Sequence, residues 1–133
     1  MNSVNIIHAN IFTQTGWLPD ALVHISKGKI KKIETYQGQS LEGDVIDASG
    51  LFASPGWVDI QINGGFGMDF TDDPTAIWEV ARQLPLHGTT SFLPTIVTSP
   101  PEKVRQGMEV LKKGPPPGWR GAEPLGIHAE GPF

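Results

Sequence analysis

Glu130 sits near the end of the stretch LGIHAEGPF (Leu125–Phe133) and is followed at once by Gly131 and Pro132. A carboxylate at a strand end, on a backbone that leaves the sheet immediately, is a hard oxygen donor suited to a divalent cation. The same position suits a strand cap or a partner for a basic side chain, and residue type alone leaves both open. His128 lies two residues earlier and shares the strand face of Glu130, because side chains alternate across a strand. A lone His on a strand is more often a hydrogen-bonded interior group, or one that orients a ligand, than a ligand itself. Upstream, in SPGWVDIQIN, the same alternation puts Trp57, Asp59, Gln61 and Asn63 on one face and Val58, Ile60 and Ile62 on the other. The polar sets need a polar surrounding, and the apolar sets need a cover.

Other chemistry-bearing residues have simpler readings. Asn63–Gly67 (NGGFG) invites comparison with phosphate-binding loops, but it has neither the G-x-G-x-x-G spacing nor a following Lys-Ser/Thr. A flexible loop at the mouth of a site accounts for it. Asp69, Asp72 and Asp73 precede Pro74, where capping of a helix start explains an acidic cluster without function. His8, His24 and His87 are expected in structural or solvated roles.

The elements that must position Glu130 fall into two rhythms. From Val4 to about Asp47 the signals are short and β-like: VNIIHANIF, DALVHI, a polar turn SKGK with Gly28 placed for positive φ, IKKIETY, and a short strand in EGDVIDASG. They suggest a small antiparallel sheet. After Gly50 strands alternate with helices. LFASPGWVDIQIN is a strand candidate. PTAIWEVARQLPLHG has Pro74 near a helix start and Ile77, Val80, Ala81 and Leu84 at helical spacing, and it closes at Gly88. Pro85 leaves the end of that helix undefined. TTSFLPTIVT is the next strand, PEKVRQGMEVLKKG a helix with Val104, Met108 and Leu111 on one stripe, and PLGIHAE a third strand. This alternation implies parallel βαβ units and an α/β fold. Three strands and two helices are too few to close a (β/α)8 barrel, which needs roughly 250 residues. Lys112–Pro124 (KKGPPPGWRGAEP) reads as a Pro-stiffened loop; the bolder alternative is a Pro-rich ligand for a partner domain.

Composition bounds the rest. The 133 residues carry 10 basic and 14 acidic side chains, a net charge of −4, and no long basic run, so nucleic acid and anionic membrane are poor partners. There is no cysteine, so any metal would need nitrogen and oxygen donors. Neither a signal segment nor a membrane-length apolar run is evident, which makes the cytoplasm the default location. The 16 Gly and 12 Pro are scattered between periodic segments and read as turns in a folded protein.

Three separated motifs, SPGWVDIQINGGFGMDF, GTTSFLPTIVTSP and LGIHAEGPF, in this order and at these spacings, resemble the N-terminal part of the N-acetylglucosamine-6-phosphate deacetylase family of the amidohydrolase superfamily. The resemblance runs over nearly the whole chain. It implies that residues 1–50 are the N-terminal part of a small β-sandwich domain. Residues 51–133 would be the first β/α units of a TIM-like (β/α)8 barrel, incomplete as given. The implied reaction is hydrolysis of the acetamide of N-acetylglucosamine 6-phosphate to glucosamine 6-phosphate and acetate, by an enzyme working as a homodimer. Gln61 and Asn63 stand where amidohydrolases commonly carry a His-x-His pair, a departure that in this family goes with a single divalent metal, zinc or iron-like. Glu130, in the H-x-E-G-P motif, corresponds to a metal ligand, with Gln61, Asn63 and His128 lining the site. No catalytic residue is assigned, because the family's two further His ligands and its catalytic Asp come from later strands. The 133-residue chain alone is therefore expected to be inactive. Two alternatives remain: another amidohydrolase, such as a cyclic-amide hydrolase, which Gln61 and Asn63 count against, and a non-catalytic assembly fragment whose open edge and uncovered apolar face would make it associate.

Overall fold

The computed structural model describes residues 3–131 and divides into two compact units, one up to Pro55 and one from Gly56 onward. Pro132 of the H-x-E-G-P motif lies outside the described residues.

The first unit is one sheet. Strands β1 (Val4–Thr13), β2 (Gly16–Ser26) and β3 (Lys29–Thr35) form an antiparallel meander, while β4 (Asp44–Asp47) and β5 (Phe52–Ala53) both add to β1 in parallel. The sheet is therefore mixed rather than antiparallel, since the segment after β3 crosses back before pairing. At the β2–β3 turn both Lys27 and Gly28 have positive φ, 52° and 70°, the requirement of a two-residue primed turn. Ala9, Ile11, Ala21, Val23 and Ala48 make its core. His8 and Asp20 also have positive φ, at register shifts in the β1–β2 pairing, and His8 Nδ1 lies 2.6 Å from Asp20 Oδ1. His24 Nδ1 meets Asn5 Oδ1 at 2.7 Å. Both histidines are engaged in local polar contacts within this sheet.

The second unit has the expected βα rhythm. Strand β6 (Trp57–Ile62) is followed by a short hairpin, β7 (Gly64–Gly65) and β8 (Met68–Asp69), then by helix α1 (Ile77–Gln83). Next come β9 (Thr89–Val97), helix α2 (Pro101–Lys113), and two pieces of a third strand, β10 (Glu123–Pro124) and β11 (His128–Glu130). β9 is central: β6 runs parallel along one side, β10 and β11 run parallel as well, and the sheet is α/β in class. Ile77, Val80, Ala81 and Leu84 are all buried against Phe70, Phe92 and Ile96, as their spacing requires. Asp73 caps the 3₁₀ turn Pro74–Ala76 that leads into α1, accepting from the Thr75 N–H at 2.9 Å and the Thr75 hydroxyl at 2.6 Å. Beyond Gln83, Leu84–His87 tightens into a second 3₁₀ turn around Pro85 and stops at left-handed Gly88. No helix of the described residues is long and apolar enough to cross a membrane.

Four local expectations are corrected. LFASPGWVDIQIN is two strands, with Phe52–Ala53 given to the first unit and Trp57–Ile62 to the second. PLGIHAE is broken: Pro124 lies opposite Phe92 and His128 opposite Thr95, so one extra residue is accommodated between them as a bulge, and Leu125 is exposed instead of lying with Ile127. On α2 Val104 and Leu111 pack against the core as expected, but Met108 is 56% exposed and the buried position is Gly107. A Cβ on Gly107 would lie 3.2 Å from Ile127 Cδ1, so the missing side chain lets the helix sit down on the strands. Finally, Val58 and Ile60 are exposed: Asp59, not Val58, is registered with core-facing Phe92, and after the register shift between Asp59 and Ile62 only Ile62 of the β6 apolar set packs against the helix-side core.

Candidate functional site

Phe92 and Ile96 of β9 face the helices, so Leu93, Thr95 and Val97 face the other way by alternation. His128 is registered with Thr95 and Glu130 with Val97, which puts both on the face away from the helices. Ile62 packs toward the helices, so Asn63 turns to that same opposite face.

Two hydrogen bonds then cross from β11 to β6 over the intervening strand. The Asn63 side-chain amide donates from Nδ2 to Glu130 Oε2 at 3.2 Å, and His128 Nδ1 lies 2.9 Å from the Ile60 carbonyl. In a flat sheet those strands would be ~10 Å apart, so side chains this short meet only because the sheet curls toward this face. The Ile60 carbonyl is available for a local reason. The β6–β9 register shifts between Asp59 and Ile62, and Pro94 opposite Ile62 brings no N–H to the ladder. A carbonyl can only accept, so His128 Nδ1 is the donor of this bond and Nε2 is the ring nitrogen left for another contact.

Of the residues expected to line a site, the structure thus brings Asn63, His128 and Glu130 together. Gln61 is exposed beside them, with its backbone N–H donating to Asp59 Oδ1 at 3.0 Å. Asp59 lies opposite core-facing Phe92 in the register and uses its carboxylate locally, apart from this group. The NGGFG segment is a paired hairpin rather than a loose loop, turning at Phe66 and Gly67, both with positive φ. His87 stacks on Phe66, their ring centres 5.6 Å apart, and takes no part in the polar group.

Contacts that the sequence did not reveal hold the same end of the sheet. The Thr98 hydroxyl donates to the Glu130 carbonyl at 2.8 Å, and the Val97 N–H donates to Thr71 Oγ1 at 3.0 Å. Thr71 is fixed in turn by its own N–H, which donates to Asp69 Oδ1 at 2.7 Å. No spacing rule links Thr98 to a residue 32 positions away. Its only sequence signal is its place at the end of a strand. Among the described residues no three His, Cys, Asp or Glu side chains converge as a complete metal-binding group.

No family model matches the chain. Among curated proteins, N-acetylglucosamine-6-phosphate deacetylase of Caenorhabditis elegans is 38% identical over 129 residues, covering 90% of the chain and 31% of the relative. The enzyme of that name from Rattus norvegicus is 49% identical over 94 residues, covering 65% of the chain and 22% of the relative. The chain matches the N-terminal portion of N-acetylglucosamine-6-phosphate deacetylase. Among solved structures, N-acetylglucosamine-6-phosphate deacetylase from Pasteurella multocida superposes with a TM-score of 0.84 at 27% identity, covering 98% of the chain and 35% of that deacetylase. The α/β arrangement is that of the deacetylase structure. The chain spans less than a third of the length of the two curated deacetylases.

Proposed function

We propose that the chain is the opening part of a metal-dependent deacetylase that hydrolyses the acetamide of N-acetylglucosamine 6-phosphate. The curled sheet β6–β9–β11 would be the first three strands of a (β/α)8 barrel, and the mixed sheet of the first unit one layer of a β-sandwich. The observation that carries this reading is the meeting of Asn63 and Glu130 at the C-terminal ends of two parallel strands, where barrel enzymes keep their reacting groups.

The donor set fits part of a metal site. Glu130 is exposed, and among the described residues the bond from Asn63 takes Oε2 and not Oε1, which could then ligate. With no cysteine in the chain, the donors it contributes would be oxygen and nitrogen, which suits one divalent ion such as zinc or iron. Such an ion would supply Lewis acidity, lowering the pKa of a bound water and polarising the acetamide carbonyl. The chain's own residues then have separate tasks. Glu130 gives one carboxylate oxygen, and Asn63 fixes its rotation by holding the other. His128 keeps its ring across the sheet through the Ile60 carbonyl, with Nε2 as its other ring nitrogen. Gln61 offers an uncharged amide for orienting substrate. The remaining ligands and the acid–base group would be supplied outside the described residues. A cytoplasmic homodimer acting on the free sugar phosphate completes the proposal.

The test combines intact mass, metal content and acetate release from N-acetylglucosamine 6-phosphate in one preparation. The 133-residue chain alone should release no acetate. A longer protein containing it should hold about one metal per chain, and Glu130→Gln should strip the metal and the activity together. Full metal content and turnover in Glu130→Gln would overturn the reading.

A further inference from the structure

We propose that Thr98 is a positioning residue that fixes where the Glu130 carboxylate points; the proposal rests on the reading of Glu130 as a metal ligand. β11 is three residues long and Glu130 is its last, registered with Val97 at the end of β9. Gly131 follows with a left-handed φ of 88°, so the extended backbone ends at Glu130. A carboxylate in that position would swing with its own main chain unless something outside β11 held it. The Thr98 hydroxyl does so, donating to the Glu130 carbonyl at 2.8 Å, while Asn63 holds Oε2 at 3.2 Å. One contact fixes the backbone and the other the side chain, from the residues that immediately follow β9 and β6 respectively.

Thr98 is itself held. It follows Val97, the last residue of β9, whose N–H donates to the Thr71 hydroxyl, and Thr71 is tied to Asp69. The acidic loop after the NGGFG hairpin therefore braces the end of β9, and the end of β9 braces Glu130. Threonine suits this task because branching at Cβ restricts its χ1, so the hydroxyl stays aimed where a serine hydroxyl would be freer. Partners that orient a metal ligand from outside the coordination sphere typically change metal affinity by about 10–100-fold when removed.

The experiment compares Thr98→Val, which keeps the shape and removes the donor, with Thr98→Ser, which keeps the donor. Amide NMR of the metal-free 133-residue chain reads the backbone order of Glu130 and the shifts of the Asn63 side-chain NH2. Thr98→Val should loosen Glu130 and move the Asn63 signals toward those of a free amide, while Thr98→Ser should keep both close to wild type. Unchanged Glu130 order and Asn63 shifts in Thr98→Val would overturn the proposal. Zinc titration of the longer protein, with Glu130→Gln alongside, separates this failure from that of the underlying reading. If Glu130→Gln abolishes zinc binding and Thr98→Val changes neither the NMR signals nor the affinity, Glu130 is a ligand and Thr98 does not position it. If Thr98→Val moves the NMR signals and Glu130→Gln leaves zinc binding intact, Thr98 holds a residue that is not a ligand. Agreement of all arms appears as a ~10–100-fold loss of zinc affinity in Thr98→Val, with recovery in Thr98→Ser.

Discussion

Asp73 shows how a single carboxylate can make local structure depend on pH. Its two hydrogen bonds from Thr75, assisted by the positive charge of Lys103, hold its pKa below the ordinary carboxylate value. The folded state therefore binds this proton more weakly than the unfolded chain does. The stabilisation is present above the ordinary carboxylate range and is lost as pH falls through the lowered folded value. Urea midpoints of wild type and Asp73→Ala, measured from about pH 3 to about pH 7, should lie closest at the acid end and separate as pH rises. A gap that does not change with pH would mean that the carboxylate is not what holds the turn. Legibility at this scale was uneven. Capping by an Asp before Pro74 could be read directly, because the cap bonds to residues two positions away. The placing of Asn63 near Glu130 was implied by the family resemblance and not by alternation, since the register shift between Asp59 and Ile62 separates Asn63 from the face of Asp59. Thr98 could not be anticipated, because its bond to residue 130 exists only once β9 and β11 are side by side.

Helix α2 shows where periodicity helps and where it fails. Val104, Met108 and Leu111 fit a helical stripe, and Val104 and Leu111 do pack against the core, but Met108 is exposed and the fully buried position is Gly107. Hydrophobic patterns weigh side chains, so a glycine that works by having none is invisible to them. Packing at Gly107 is nonetheless tight, with Ile127 Cδ1 3.2 Å and Ile96 Cδ1 3.7 Å from where a Cβ would stand. Gly107→Ala should be nearly neutral, since a gain in helix propensity of about 1 kcal/mol offsets a contact that the flexible end of Ile127 can relieve. Gly107→Leu has no such escape and should cost about 1–3 kcal/mol, whereas Met108→Ala should stay within about 0.5 kcal/mol. Thermal unfolding followed by circular dichroism ranks the three; a larger loss at Met108 than at Gly107 would show that the helix faces the other way. The breaks in the strands were hidden for a related reason. Bulges between Asp59 and Ile62 and between Pro124 and His128 depend on the partner β9, and the composition of either strand alone does not record them.

At the scale of the whole chain, the alternation of strands and helices after Gly50 was readable, whereas the parallel addition of β4 and β5 to β1 was not, since local pattern carries no strand order. The consequence with most bearing on solution behaviour is surface left uncovered within each unit. In the second unit, Trp57, Val58 and Ile60 are 68%, 56% and 68% exposed on β6, which pairs on one side with β9. In the first unit, Phe12, Trp17 and Phe52 stack edge-on at centroid distances of 5.2 Å and are each more than 60% exposed. An open strand edge with apolar side chains recruits further strands, and exposed aromatic patches associate without needing an edge. Sedimentation velocity of the 133-residue chain should therefore show a mean mass that rises with concentration. The two sources predict different rescues. Ile60→Lys puts a charge on the open strand and should suppress edge pairing, whereas Phe52→Ser breaks the aromatic stack and leaves β6 untouched. If Ile60→Lys alone restores a monomer, the β6 edge drives association; if Phe52→Ser alone does, the sheet of the first unit drives it. A wild-type chain that stays monomeric at every concentration would mean that neither surface is adhesive, because these exposed side chains would then be tolerated singly, as scattered apolar residues are on any protein surface.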